Sequence, residues 1–135
     1  MSTPPLKKLL FIDDDTDILT ILKFCFTDRT DLTILCASSG PAGIELATKE
    51  LPDLILLDVM MPGMDGIATL QTIRLIPALR TTPIIFLTAK AQKHEIDQFL
   101  QMDIADIIVK PFDPIALPKI IDACWEKYQS KKASL

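Results

Sequence analysis

The feature that most constrains this chain is Leu54-Ile55-Leu56-Leu57, which runs straight into Asp58 and then Val59-Met60-Met61-Pro62-Gly63-Met64-Asp65-Gly66. Four consecutive apolar residues read as a strand buried on both faces, the pattern of a parallel sheet covered by helices. The run stops at a carboxylate and empties into a turn with Pro62, Gly63 and Gly66. In open α/β sheets, ligands bind beyond the carboxyl ends of the strands. A buried strand needs no carboxylate at its tip for stability, so Asp58 is the candidate reacting group.

The rest of the chain repeats this design. Leu9-Leu10-Phe11-Ile12 is a second apolar run, ending in Asp13, Asp14 and Asp15, with Asp17 close behind. Asp15 and Asp17 suit the cap and first turn of an amphipathic helix over 18–26, where acids favour the helix dipole. Asp13 and Asp14 precede that helix and are left at the strand tip. Further strands are expected over 32–37, 83–87 and 107–109, and helices over 42–51, from 67 to near 77, over 92–102 and over 117–128. Pro41 suits an early helix position and Pro118 a first turn. The alternation implies an α/β, doubly wound five-stranded parallel sheet with helices on both faces and right-handed crossovers. Residues 1–6 are expected to be disordered, 7–128 to form the domain and 129–135 to be a frayed tail.

Composition closes off several functions. At 135 residues and 49% hydrophobic content the chain is one domain with a real core. A net charge of −4 argues against a nucleic-acid surface, which needs a basic patch. No apolar run approaches the roughly 20 residues of a membrane span, and residues 1–5 are too short and polar for a signal peptide. Cys25, Cys36 and Cys124 show no CxxC spacing and read as buried or half-buried thiols of a reducing cytosol. A cytoplasmic location with no membrane and no nucleic-acid partner is expected.

Four of the five strands end in residues able to do chemistry: Asp13-Asp14, Asp58, Thr88 and Lys110. In a parallel sheet these share one rim. Carboxylates within about 4–6 Å repel by several kcal/mol at an effective dielectric of about 20, so a proton or a cation must join them. Oxygen donors without His or Cys suit a hard ion, Mg²⁺, which favours carboxylates plus a substrate phosphate. An ammonium and a hydroxyl, Lys110 and Thr88, can then hold oxygens of a transferring phosphoryl group, and a carboxylate nucleophile giving an aspartyl-phosphate is a known route.

Phe11-Ile12-Asp13-Asp14-Asp15, the stretch from Leu56 to Gly66, Phe86-Leu87-Thr88-Ala89 and Val109-Lys110-Pro111-Phe112 together resemble the receiver domain of two-component response regulators. The resemblance spans 7–128, with all four blocks in order, and implies the flavodoxin-like strand order 2-1-3-4-5. It makes Asp58 the phosphoacceptor from a phosphohistidine on a sensor histidine kinase or histidine phosphotransfer protein. Asp14 becomes the direct Mg²⁺ ligand, Asp13 a ligand through water, and the Met60 main-chain carbonyl a further ligand. Lys110 becomes the phosphate-binding lysine, its bond to Pro111 typically cis. Thr88 becomes the switch hydroxyl, and Ala89 leaves the acyl phosphate accessible. Two positions depart from the family's habit. Ile107 stands three residues before the lysine, where Tyr or Phe is common and flips with the threonine, and Asp103 stands where a Gly often closes helix four. Met60 and Lys90 sit where the family tunes hydrolysis.

The resulting expectation is a response regulator, not an enzyme beyond catalysing its own phosphorylation and slow dephosphorylation. Output would pass in trans through helix four, strand five and helix five to a protein target, and a homodimer is compatible with it. Two alternatives stand beside it. One is a degenerate receiver that only docks partners. The other is a small haloacid-dehalogenase-like phosphatase using Asp13-x-Asp15, a reading that leaves Asp58 idle and meets Asp17 where Thr or Val belongs. His94 reads as an exposed helix residue, Trp125 and Tyr128 as packing, and Asp65 as a cap.

Overall fold

The computed structural model describes residues 3–89 and 92–133. Five strands form one sheet in the order β2-β1-β3-β4-β5, all parallel: β1 (Lys8–Ile12), β2 (Thr33–Ala37), β3 (Leu54–Asp58), β4 (Ile84–Thr88) and β5 (Asp106–Val109). The helices are α1 (Thr16–Cys25), α2 (Gly40–Glu50), α3 (Gly66–Leu75), α4 (Lys93–Leu100) and α5 (Leu117–Ala133), with a 3-10 turn over Pro77–Leu79 after α3. No helix of the described residues is long and apolar enough to cross a membrane.

Side chains of a strand alternate between the two faces of its sheet, and here the alternation sorts the apolar runs into two cores. Leu9, Phe11, Leu54, Leu56, Ile85, Leu87 and Ile108 pack with α1 and α5 through Leu22, Phe26, Leu117, Ile121 and Trp125. Leu10, Ile12, Ile55, Leu57, Ile84 and Phe86 pack on the other face with Ala47, Leu70, Ile73 and Phe99. A fully buried Leu, Ile or Phe stabilises by roughly 1.5–3 kcal/mol, so each central strand contributes to both layers. That is why their sequences lack the polar alternation of a one-sided sheet.

The helix starts follow local chemistry. Asp15 caps α1, its side chain accepting from the Asp17 and Ile18 amides at 2.9 and 3.4 Å, so the helix begins two residues before 18. Ser39 caps α2 with Pro41 in its first turn, and Asp65 caps α3 by accepting from the Ala68 amide at 2.8 Å. Helix α4 has no side-chain cap and buries only Phe99, whose ring meets Phe86 edge-on at 5.5 Å.

One helix boundary differs from expectation. Helix α5 continues past 128 to Ala133, pinned by the Tyr128 hydroxyl donating to the Thr81 carbonyl at 2.7 Å and continued by good helix formers. Before β1, Leu6 is buried in the α1/α5 core, and the Trp125 indole donates to the Pro4 carbonyl at 2.8 Å. Residues 1, 2, 134 and 135 lie outside the described ones. In the turn into β5, the Asp103 carboxylate and carbonyl both bind the Arg74 guanidinium at 2.9 Å.

One close approach fixes the loop after β3. Gly66 donates its amide to the Val59 carbonyl at 2.9 Å, and a Cβ on Gly66 would overlap the Asp58 carbonyl oxygen. Gly66→Ala is therefore expected to cost about 1–3 kcal/mol, the usual penalty of overpacking. Urea unfolding of the variant checks this, and an unchanged midpoint would mean that the two backbones are not in contact.

Candidate functional site

The alternation that builds the core also builds a site. Continuing the α1/α5 register one step beyond the apolar runs, Leu9-Phe11 leads to Asp13, Leu54-Leu56 to Asp58, and Ile108 to Lys110. All three side chains meet at the carboxyl edge of the sheet. The Lys110 Nζ lies 3.0 Å from Asp13 Oδ2 and 3.4 Å from Asp58 Oδ1. Asp13 is 1% exposed and Asp58 3%, whereas Asp14 is exposed. Carboxylate oxygens of Asp13, Asp14 and Asp58 lie within 4.8 Å of one another.

Backbone amides orient the two buried carboxylates. The Asp15 amide donates to Asp13 Oδ1 at 2.9 Å, and the Met60 amide donates to Asp58 Oδ1 at 3.3 Å. Asp13 Oδ2 is left buried without an aligned hydrogen bond, meeting only the ammonium's charge. Burial, and then the neighbouring Asp13, push the Asp58 carboxyl up to about 7 despite Lys110 beside it. Burial works against the Lys110 ammonium, but Asp13 and Asp58 outweigh it and hold its pKa above the ordinary lysine value.

Fully ionised, three carboxylates against one ammonium leave a charge of −2. The donor set is all oxygen, one of its buried atoms lacks a hydrogen bond, and the excess equals the charge of one divalent cation. The residues therefore fit a hard ion such as Mg²⁺. Met60 is 54% exposed at the rim, its carbonyl beside this cluster in sequence.

Thr88 and Ile107 belong to the opposite face. Thr88 is fully buried at the end of β4, pairs with Val109 and accepts the Lys110 amide on its carbonyl at 2.8 Å. Ile107 pairs with Phe86 and packs, half-buried, in the core that contains Phe99 of α4. The Lys110–Pro111 bond is cis. His94 is exposed, Trp125 is buried in the core and Asp65 caps α3. Lys90 lies outside the described residues. The phosphatase alternative is not favoured, because Asp58, idle in it, lies buried against Lys110 at the centre of the cluster. Sequence reading placed Gly66 in the turn after β3 but missed that it packs on the Asp58 backbone. Its signal was a glycine at the start of a helix, directly after a cap, where a helix former is the usual choice.

Known proteins resemble this chain along most of its length. A family model described as the response regulator receiver domain matches residues 9–122. The alkaline phosphatase synthesis transcriptional regulatory protein PhoP of Bacillus subtilis is 36% identical over 108 residues, 80% of this chain and 44% of PhoP. An uncharacterized 14.6 kDa protein of Leptolyngbya boryana is 32% identical over 121 residues, 90% of this chain and 92% of that protein. The chain thus spans less than half of PhoP and most of the second relative. The chemotaxis protein CheY4 of Vibrio cholerae has a similar structure, with a TM-score of 0.80 at 26% identity over 89% of this chain and 99% of that one.

The charge conflict predicts a pattern of stabilities in metal-free buffer. Lys110→Met should destabilise by roughly 3 kcal/mol, because it strands two buried carboxylates. Asp58→Asn should stabilise the fold, and adding it to Lys110→Met should recover much of that loss. Urea unfolding of the four proteins measures the coupling. Strictly additive effects would mean that Lys110 and Asp58 do not interact.

Proposed function

Because this chain belongs to the response regulator receiver domain family of two-component signalling, we propose that Asp58 accepts a phosphoryl group from the phosphohistidine of a sensor kinase or phosphotransfer protein. The observation that supports it best is Asp58 itself: a buried carboxylate at a strand tip, 3.4 Å from an ammonium and grouped with two further carboxylates. An Asp58 oxygen attacks phosphorus, an O–P bond forms as the N–P bond breaks, and the imidazole leaves with a proton from solvent. Mg²⁺, held by Asp13, Asp14, Asp58 and the Met60 carbonyl, would when bound neutralise the phosphoryl oxygens and the crowded carboxylates.

The chain's own groups then divide the work. The Asp15 and Met60 amides hold the two carboxylates in place before the reaction, so little reorganisation is needed. Lys110, 3.0 Å from Asp13 and 3.4 Å from Asp58, moves towards the new phosphoryl oxygens as negative charge gathers there. The Thr88 hydroxyl donates to another of those oxygens. Ala89, exposed and small, leaves the acyl phosphate open to hydrolysis.

Signalling follows from which face Thr88 shares. Thr88, Phe86 and Ile107 lie on the α4 side of the sheet, and α4 is held to it through Phe99 on Phe86. A movement of Thr88 towards the phosphoryl group frees space beside Ile107, which changes rotamer and shifts α4. An isoleucine displaces less volume than the aromatic common in this family, so the population shift rests more on Thr88 and the loop after β4. The surface of α4, β5 and α5 then binds a protein partner in trans or a second copy.

Incubating the protein with acetyl phosphate and Mg²⁺ should add one phosphoryl group by intact mass to wild type and none to Asp58→Asn. Thr88→Ala should still be labelled while losing partner binding. Labelling that survives Asp58→Asn and disappears in Asp13→Asn would overturn the assignment in favour of the phosphatase-like nucleophile.

A further inference from the structure

At the opposite rim of the sheet, before the starts of β4 and β5, lies a cavity of about 400 Å³. Its floor is apolar, with Pro83 buried and Ile104 and Ala105 half-buried. Its walls are set by polar ties. The Arg74 guanidinium donates to the Leu79, Thr82 and Asp103 carbonyls at 3.1, 2.7 and 2.9 Å, and the Tyr128 hydroxyl donates to the Thr81 carbonyl. A preformed cavity of this size lies within the range of about 300–1,000 Å³ typical of small-ligand sites.

The charge around it runs against the rest of the molecule. Five of the chain's 14 Lys and Arg residues line this cavity, in a protein of net charge −4. Arg74 is committed to Asp103 at 2.9 Å. Asp106, the next carboxylate along, accepts from the Ile107 amide and the Cys124 thiol. Arg80, Lys127, Lys131 and Lys132 form no ion pair among the described residues. Lys131 and Lys132 complement the carboxyl end of α5; Arg80 and Lys127 have no such structural task. Unpaired cations around an apolar recess attract an anion that also carries an apolar body.

We propose that this cavity binds a small organic anion, one with an apolar ring or chain and a terminal phosphate or carboxylate. The proposal stands apart from phosphoryl transfer, since the cavity lies a strand length, roughly 17 Å, from the aspartate cluster. Its concave shape and apolar floor favour a small molecule over an acidic protein surface.

The test is a titration of the ¹⁵N-labelled full chain, without divalent ions, followed by amide chemical shifts. The probes are 1-naphthyl phosphate, 1-naphthoate, the neutral 1-naphthylmethanol and inorganic phosphate. Saturable shifts at Thr81, Ala105 and Cys124 with the anionic naphthalenes are expected, and the tighter of the two identifies the head group. The neutral probe and inorganic phosphate should each bind at least about tenfold more weakly. The double variant Arg80→Gln/Lys127→Gln, whose fold the same spectra verify, should weaken the anions about tenfold. Absence of saturable shifts, equal binding of the neutral probe, indifference to the variant, or shifts confined to Asp58, Thr88 and Lys110 would each overturn it.

Discussion

The structure depends on a charge conflict that the sheet itself imposes. Asp13 and Asp58 are carried into the interior because they continue the register of Leu9-Phe11 and Leu54-Leu56, and Lys110 arrives by the same rule from Ile108. The carboxylates cannot move apart without unpairing β1 from β3, whose register from Leu9 with Leu54 to Ile12 with Leu57 is locked by two cores. One ammonium at 3.0 and 3.4 Å offsets only part of the repulsion, and burial raises the Asp58 carboxyl accordingly. A site that is unfavourable when empty of cations, on rigid strands, favours the binding of positive charge and of whatever brings it.

The same two-residue period puts the acidic cluster and Thr88 on different faces of the sheet. Asp13, Asp58 and Lys110 lie on the α1/α5 side of the sheet, whereas Thr88 and Ile107 lie on the side of α4. Thr88 therefore touches both worlds: its backbone carbonyl holds the Lys110 amide, and its strand neighbour Phe86 holds α4 through Phe99. Helix α4, with no side-chain cap and one buried residue, has few local ties to hold its position.

What was legible in the sequence was whatever depends on local pattern. Apolar runs ending in Asp13, Asp58, Thr88 and Lys110 specify the strands and their shared rim, and Asp15 and Asp65 mark helix starts that the structure keeps. What was not legible depends on partners distant in sequence. Trp125 and Pro4 are 121 residues apart, so their hydrogen bond has no local signal. Tyr128 reaches back 47 residues to Thr81, which is why α5 outlasts its apolar pattern. Arg74, an ordinary helix-end arginine in the sequence, joins the turn after α3 to the turn before β5. The basic cavity beside it gathers residues from three separate stretches.

The most direct test of the central claim is the thermal midpoint of the unphosphorylated protein as Mg²⁺ is added, in wild type and Asp13→Asn. If the three carboxylates form a cation site that the fold holds at a cost, wild type should gain about 1.4 kcal/mol at roughly tenfold over the dissociation constant. In a domain of this size that is about 5 °C. Asp13→Asn should begin more stable and gain little. A wild-type midpoint that stays flat across millimolar Mg²⁺, or rises equally in the variant, would contradict the account.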